Sequence, residues 1–275
     1  MQDQPLNRQA GENLRQIKAE KPLVHNITNF VVMNWTANVL LAMGGSPVMA
    51  HAQEEVEEMT GIARALILNI GTLTPYWIDA MLMAGRAANA RKVPVILDPV
   101  GSGATRLRTG SARRIIEEVT IDVVRGNASE VLSLAKAGSR TKGVDSLHSV
   151  DEAAGTAEEL ARELGVTLAI TGAVDLVTDG KRTLRVANGH PMLGTITGTG
   201  CAATVVIGAF LAVERDALAA AAGGLALFGL AGELAAERAD GPGSFQTSLL
   251  DELYAITPAR LHVGAKIESG PIASG

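Results

Sequence analysis

The segment Gly198-Thr199-Gly200-Cys201-Ala202-Ala203-Thr204 opens a long apolar stretch that reads as a helix. Glycines at a helix start let backbone N–H groups approach an anion, and the helix dipole adds positive potential there. A cysteine in that position is expected to have a lowered pKa and a more accessible thiolate. The competing reading is a small apolar residue at an ordinary helix start, since free cysteine is often buried. Glycines on both sides favour chemistry, which makes Gly198, Gly200 and Cys201 candidate catalytic residues. A second candidate, Asp98, ends the apolar run Val93–Leu97 and precedes Pro99-Val100-Gly101-Ser102-Gly103. A carboxylate at the end of a buried strand is costly unless it meets a cation, a metal or backbone donors. A turn aspartate capping its own loop is the alternative.

Arg125 directly precedes Gly126 at another strand end. A guanidinium there presents a fixed fork of donors that suits phosphate oxygens, with a surface salt bridge as the plainer option. Thr171, in Ile170-Thr171-Gly172, has a hydroxyl to offer a phosphate, although threonine is common at strand ends. Asn127-Ala128-Ser129-Glu130 puts Glu130 one turn into a helix, where it could hold a metal or its water. A first-turn glutamate complementing the helix dipole is at least as common. Asn26 could hydrogen-bond a heteroatom of a small ring and Met49 could lie against its face, although plain core is the stronger expectation for a methionine. His25 is left without a role.

These residues need a scaffold that brings them to one edge. Apolar, β-branched runs predict strands at Leu23–Thr28, Pro47–Ala50, Ala65–Gly71, Val93–Val100, Ile121–Asn127, Val166–Gly172, Val174–Asp179 and Thr183–Ala187. Helical patterns lie between them at Pro75–Arg91, Ser111–Val119 and Val150–Leu164, and the chain turns helical from Thr197 to Ala239 and again from Phe245 to Ile256. Such alternation implies right-handed crossovers and an α/β, mostly parallel central sheet flanked by helices. The short Asp179-Gly180-Lys181-Arg182 connection fits an antiparallel hairpin at one edge. Asn26, Asn69, Asp98, Arg125 to Asn127 and Thr171 then all sit at carboxyl ends of strands, where open α/β sheets bind ligands. No internal repeat or Pro/Ser-rich linker divides the 275 residues, so one domain over 1–275 is expected, with mobile ends at 1–6 and 268–275.

Composition narrows the function classes. Apolar residues make up 47% of the chain and charged residues 19%, enough for a sizeable core. A net charge of −5, with basic residues scattered among acids, argues against nucleic acid as the partner. Cys201 is the single cysteine, so no intramolecular disulfide forms and a reducing cytoplasm is the natural setting. The polar N-terminus lacks the apolar core of a signal peptide. The apolar run from Ala217 to Gly232 falls short of the roughly 20 residues a membrane span needs, which predicts a buried helix and no membrane. There is no G-x-x-x-x-G-K-[ST] phosphate loop, no G-x-S-x-G elbow and no clustered Cys/His ligand set. No histidine is placed by the sequence to serve Cys201 as in a Cys-His hydrolase.

Taken in order, VHNITNFVVMNWTANVLLAMGGSPVMA, LILNIGTL, VPVILDPVGSGAT, RGNASE, AITG, NGH, GTGC and GPGSF resemble the hydroxyethylthiazole kinase family from about Leu23 to about Leu250. The resemblance implies a ribokinase-like fold without a lid domain. It also implies ATP as co-substrate, Mg2+ as cofactor, a small thiazole alcohol as acceptor and a homotrimer with sites near subunit contacts. Carried over residue by residue, Met49 and Gly198 match positions contacting the thiazole, with Asn26 as the further substrate-binding candidate. Arg125 and Thr171 match positions binding ATP phosphates, with Asn127 beside them. Asp98 and Glu130 match acidic positions near the magnesium. Cys201 stands where many relatives of the wider fold carry an aspartate base, and Thr199 and Ser102 stand where alanine is frequent. The same scaffold also carries pyrimidine and pyridoxal-type kinases and a nucleotide-dependent dehydratase of hydrated nicotinamide cofactors. A sensor binding nucleotide or thiazole without turnover is the remote alternative. Asn26, Met49 and the lid-free brevity favour the thiazole.

Overall fold

The structure is a computed structural model that describes residues 5–135 and 150–270. Its strands are β1 (Leu23–Ile27), β2 (Ser46–Val48), β3 (Ala65–Asn69), β4 (Val95–Asp98), β5 (Val123–Asn127), β6 (Thr167–Thr171), β7 (Asp175–Thr178), β8 (Thr183–Val186) and β9 (Ile267–Ser269). They form a nine-stranded sheet in the order β2-β1-β3-β4-β5-β6-β7-β8-β9. Pairings from β2 through β6 are parallel, and those from β6 to β9 are antiparallel. The helices are α1 (Pro5–Glu20), α2 (Met33–Met43), α3 (Val56–Ile62), α4 (Pro75–Arg91), α5 (Arg106–Glu118), α6 (Ala128–Leu132), α7 (Val150–Leu164), α8 (Thr199–Leu211), α9 (Ala217–Ala236), α10 (Pro242–Ala255) and α11 (Pro258–Gly264).

Side chains alternate across each strand, which divides the core in two. Val24, Ile67, Ile96, Val123 and Ala169 face the layer containing α8 and α9. Their neighbours Leu66, Leu68, Val95, Leu97, Val124 and Leu168 face the layer containing α4. Both faces of the parallel strands are therefore covered, which is why these strands read as continuous apolar runs.

The Ala/Gly-rich run proves longer as a helix than its composition suggested. Helix α9 spans 20 residues and is long and apolar enough to cross a membrane, but 78% of that window is buried inside the protein. A helix apolar on every side belongs in a core. Here α9 packs on α8, α10 and α1, and a Cβ on Gly224 would lie 2.9 Å from the Ile207 Cα of α8. The chain ends are also more structured than expected: Pro5 and Leu6 open α1, while Glu268 and Ser269 belong to β9, paired with β8. Residues 1–4 and 271–275 lie outside the described residues.

Candidate active site

The register of the parallel strands sets Asn69 beside Asp98 at the ends of β3 and β4, and Asn127 beside Thr171 at the ends of β5 and β6. Helix α8 closes this rim. Side chains cap the starts of α4, α5, α9 and α11, from Thr74, Thr105, Asp216 and Thr257. Helix α8 has none: its N-cap is Gly198, in the left-handed region at φ 82°, with no side-chain hydrogen bond. The first-turn amides of Thr199, Gly200 and Cys201 have no intrahelical acceptor, and Thr199 and Gly200 line a cleft of about 520 Å3. They are donors at the positive end of a helix, open to a ligand.

Asp98 is fully buried beneath this turn. Its Oδ2 accepts from Asn69 Nδ2 and from Thr204 Oγ1, each at 2.8 Å. Its Oδ1 is buried and has no hydrogen-bond partner. Arg125 Nη1 lies 4.0 Å from Oδ2, and Arg125 Nη2 donates to Thr171 Oγ1 at 2.6 Å. A Cβ on Gly200 would lie 2.5 Å from Arg125 Nη1, so only glycine lets the guanidinium lie against the first turn of α8. Burial pushes the Asp98 carboxyl up to about 6, against the opposing charge of Arg125 and the hydrogen bond from Thr204.

Cys201 Sγ accepts from Asn69 Nδ2 at 3.2 Å and from Asn29 Nδ2 at 3.7 Å. Asp98, Arg125, Thr171, Gly200 and Cys201 are therefore one connected group. Gly198 borders it, beside Val32 and Trp35 of the β1–α2 segment. Asn26 is buried next to α2, donating to Thr36 Oγ1 at 3.2 Å and leaving its Oδ1 without a partner. Met49 is half-buried just beyond β2, and no hydrogen bond ties it to the group. His25 bridges Ala50 O at 2.7 Å and Thr60 Oγ1 at 3.0 Å, which braces the segment that follows Met49.

Asn127 and Glu130 are engaged with the backbone. Asn127 Oδ1 caps α6 by accepting from Glu130 N, and Glu130 Oε2 accepts from Asn127 N in return. Glu130 Oε1 accepts from Gly101 N at 2.8 Å, tying the loop after β4 to the loop after β5.

The hydroxyethylthiazole kinase family model matches residues 14–259 of the chain. The chain belongs to the hydroxyethylthiazole kinase family. It is similar to the hydroxyethylthiazole kinase of Desulfotalea psychrophila, 62% identical over 259 residues that cover 94% of this chain and 95% of that one. The corresponding enzyme of Roseiflexus sp. is 53% identical over 266 residues, covering 97% and 98%. The solved structure of the hydroxyethylthiazole kinase protein from Pyrococcus horikoshii superposes with a TM-score of 0.88 at 45% identity, covering 95% of this chain and 99% of that one. A ribokinase-like superfamily protein from Enterococcus faecalis shares only the fold, with a TM-score of 0.62 at 14% identity over 94% of this chain and 84% of that one. The chain is thus a kinase with a ribokinase-like fold.

One expectation for this family member is overturned. Cys201 does not have a lowered pKa: its thiol is pushed up to about 12, first by burial and then by the charge of Asp98. The hydrogen bonds from Asn69 and Asn29 and the charge of Arg125 pull the other way without prevailing. The helix-terminus effect is local, whereas burial and a carboxylate from a distant strand are set by tertiary structure. The thiol is therefore held protonated at pH 8. Iodoacetamide at pH 8 should leave Cys201 unmodified in the folded protein, by mass spectrometry, and alkylate it in urea; rapid modification of the folded chain would contradict this environment.

Asn69, expected on the rim from its strand end, completes the cluster with Asn29 and Thr204, and none of the three was assigned a role by the sequence. Their signal was position alone, at or just past strand ends and one turn into α8. Asp175 was missed, and the far wall from Asn188 to Leu193 was seen only as the motif Asn188-Gly189-His190 without a role, because both reach the site through the β6–β9 fold-back.

Proposed function

We propose that the protein transfers the γ-phosphoryl group of ATP to the primary alcohol of 4-methyl-5-(2-hydroxyethyl)thiazole, forming the monophosphate that thiamine biosynthesis and salvage use. The observation that carries this is the uncapped start of α8 beside Arg125, both lining one cleft, with Asp98 buried directly behind them, in a chain of this family. Phosphoryl transfer asks for positioning and charge stabilisation more than covalent work. Arg125 and Thr171 bind phosphate oxygens. The amides of Thr199 to Cys201 receive the transferring group as its charge spreads. Asn69 and Asn29 hold the thiol of Cys201, which orients the alcohol; the new O–P bond forms as the bond from the γ-phosphorus to ADP breaks, and the alcohol proton passes late to a phosphate oxygen of the product and on to solvent. Met49, Gly198 and Asn26 make the thiazole side of the site.

Mg2+ fits the residues present. Among the described residues no cluster of three acidic, histidine or cysteine side chains forms a cage, and Mg2+ with ATP uses few carboxylates, several waters and the phosphates themselves. Asp98, with a bare buried Oδ1, would hold it directly, and Glu130, with both oxygens on backbone amides, through water. Bound there, the ion supplies neutralisation of the phosphate charge. We place the enzyme in the cytoplasm as a homotrimer; Phe30 and Val31, 65% and 64% exposed in the segment that also carries Asn29, supply an apolar surface for a neighbouring subunit beside the site.

A coupled ADP-release assay with the thiazole alcohol, with and without Mg2+, tests the assignment. ADP formation dependent on both supports it, and nucleotide binding without turnover would replace it with a sensor. Cys201→Asp should retain substantial activity, because a carboxylate raised by its neighbour Asp98 can orient the alcohol and take its proton near neutral pH. A folded but inactive Cys201→Asp protein would remove Cys201 from this role.

A further inference from the structure

We propose that Asp175 reads the ribose of the bound nucleotide, so that the enzyme selects ribonucleotides over deoxynucleotides through this one carboxylate; this rests on the assignment of the cleft to ATP. The cleft lining is of two chemical kinds. Arg125, Thr171 and the first turn of α8 suit phosphate. Ala203, Leu193, Leu225 and Phe228 are apolar and suit the faces of a base. The sugar joins base to phosphates, and its hydroxyls need partners once water is displaced.

Most polar side chains lining the cleft are already committed. Asn188 donates to Glu233 Oε1 and Gly264 O and accepts from Lys266 N. Thr199 Oγ1 donates to Leu193 O, and Thr171 is paired with Arg125. Asp175 differs. Its Oδ1 accepts from Gly172 N at 3.0 Å, and among the described residues no hydrogen bond uses its second oxygen. The pairing of Ile170 with Leu176 sets Asp175 across from Thr171, which is bonded to Arg125. A carboxylate there repels phosphate oxygens and has nothing to offer an apolar face, but it accepts well from a sugar hydroxyl. Its retention is otherwise costly, since burial pushes this carboxyl up to about 6 despite Gly172 N–H and Arg125.

Steady-state kinetics with ATP, 2′-deoxyATP and 3′-deoxyATP tests the inference in the wild type and in Asp175→Ala. Wild-type kcat/KM should fall about tenfold or more for at least one deoxy analogue, the worth of a hydrogen bond to a charged group. In Asp175→Ala the ratio of ATP to that analogue should collapse towards one. If Asp175 only holds Gly172, both nucleotides weaken together and the ratio persists, which overturns the proposal. A wild type indifferent to the sugar overturns it without any variant. Asp175→Asn, which keeps an acceptor for Gly172 N–H, serves if the alanine variant does not fold. His190, whose Nδ1 accepts from Met192 N and whose ring lines the same cleft, is the control: a ratio that collapses in His190→Ala and persists in Asp175→Ala reassigns the role. Failure of the wild type to form ADP from ATP would overturn the nucleotide assignment itself and is read separately.

Discussion

Arg125→Ala should lower kcat/KM for ATP by about a hundredfold to a thousandfold, the range for losing one preorganised charge-stabilising donor, while the KM for the thiazole alcohol changes severalfold at most. The asymmetry follows from position. Arg125 bonds Thr171 and packs on Gly200, both lining the cleft assigned to ATP, whereas Met49 and Asn26 lie towards β1 and β2 on the other side of α8. Arg125→Lys should not restore the loss, because an ammonium cannot bond Thr171 and a phosphate as a planar fork does. A second readout follows from electrostatics. Arg125 holds the Asp98 carboxyl down against burial, so in Arg125→Ala the acid limb of any residual activity should move to higher pH. Steady-state kinetics with each substrate varied checks both. A rise in the thiazole KM with ATP kinetics untouched would reverse the assignment.

Asp98→Asn should remove most activity, about a hundredfold or more in kcat, and yet stabilise the protein at pH 8. Burial raises the Asp98 carboxyl from 3.8 to about 6, so the folded state holds this proton to higher pH than the unfolded chain. Its contribution to stability is fully present below 3.8 and is lost as pH rises through about 6. That interval corresponds to roughly 3 kcal/mol. An asparagine at 98 is never ionised, keeps an oxygen for Asn69 and Thr204, and avoids the cost. The melting temperature without nucleotide should rise by roughly 5–10 °C at pH 8, and the gap should narrow towards pH 4. A variant less stable than wild type at pH 8 would mean that Asp98 is kept in place mainly by Arg125. Stability given up at a charged site is expected where that charge serves the reaction.

Much of this site was legible in the sequence because strand ends are legible. Val93–Leu97 followed by Asp98, and a β-branched run ending in Arg125-Gly126-Asn127, place polar groups at carboxyl ends through the two-residue period of strands, independent of tertiary detail. What the sequence withheld depends on long-range contact. The thiol of Cys201 sits at a helix start, as expected, but its ionisation is decided by Asp98 from β4 and by burial. Glu130 has the expected position, while the backbone amides of Gly101 and Asn127 that occupy its oxygens become visible only in three dimensions. Helix α1 is mostly polar, and its apolar stripe of Leu6, Ala10, Leu14 and Ile17 is easily overlooked in a segment read for a signal peptide. Strand β9 has only three residues, with Ile267 alone buried.

In the proposed reaction the amides of Thr199, Gly200 and Cys201 receive the migrating phosphoryl group. A crystal structure with ADP, aluminium fluoride and the thiazole alcohol makes this visible, because the fluoride stands in for that group. Fluorines are expected within hydrogen-bonding distance of these amides, with Arg125 on one side and the alcohol oxygen next to Cys201. Fluoride bound away from the start of α8, with those amides facing no ligand atom, would contradict it.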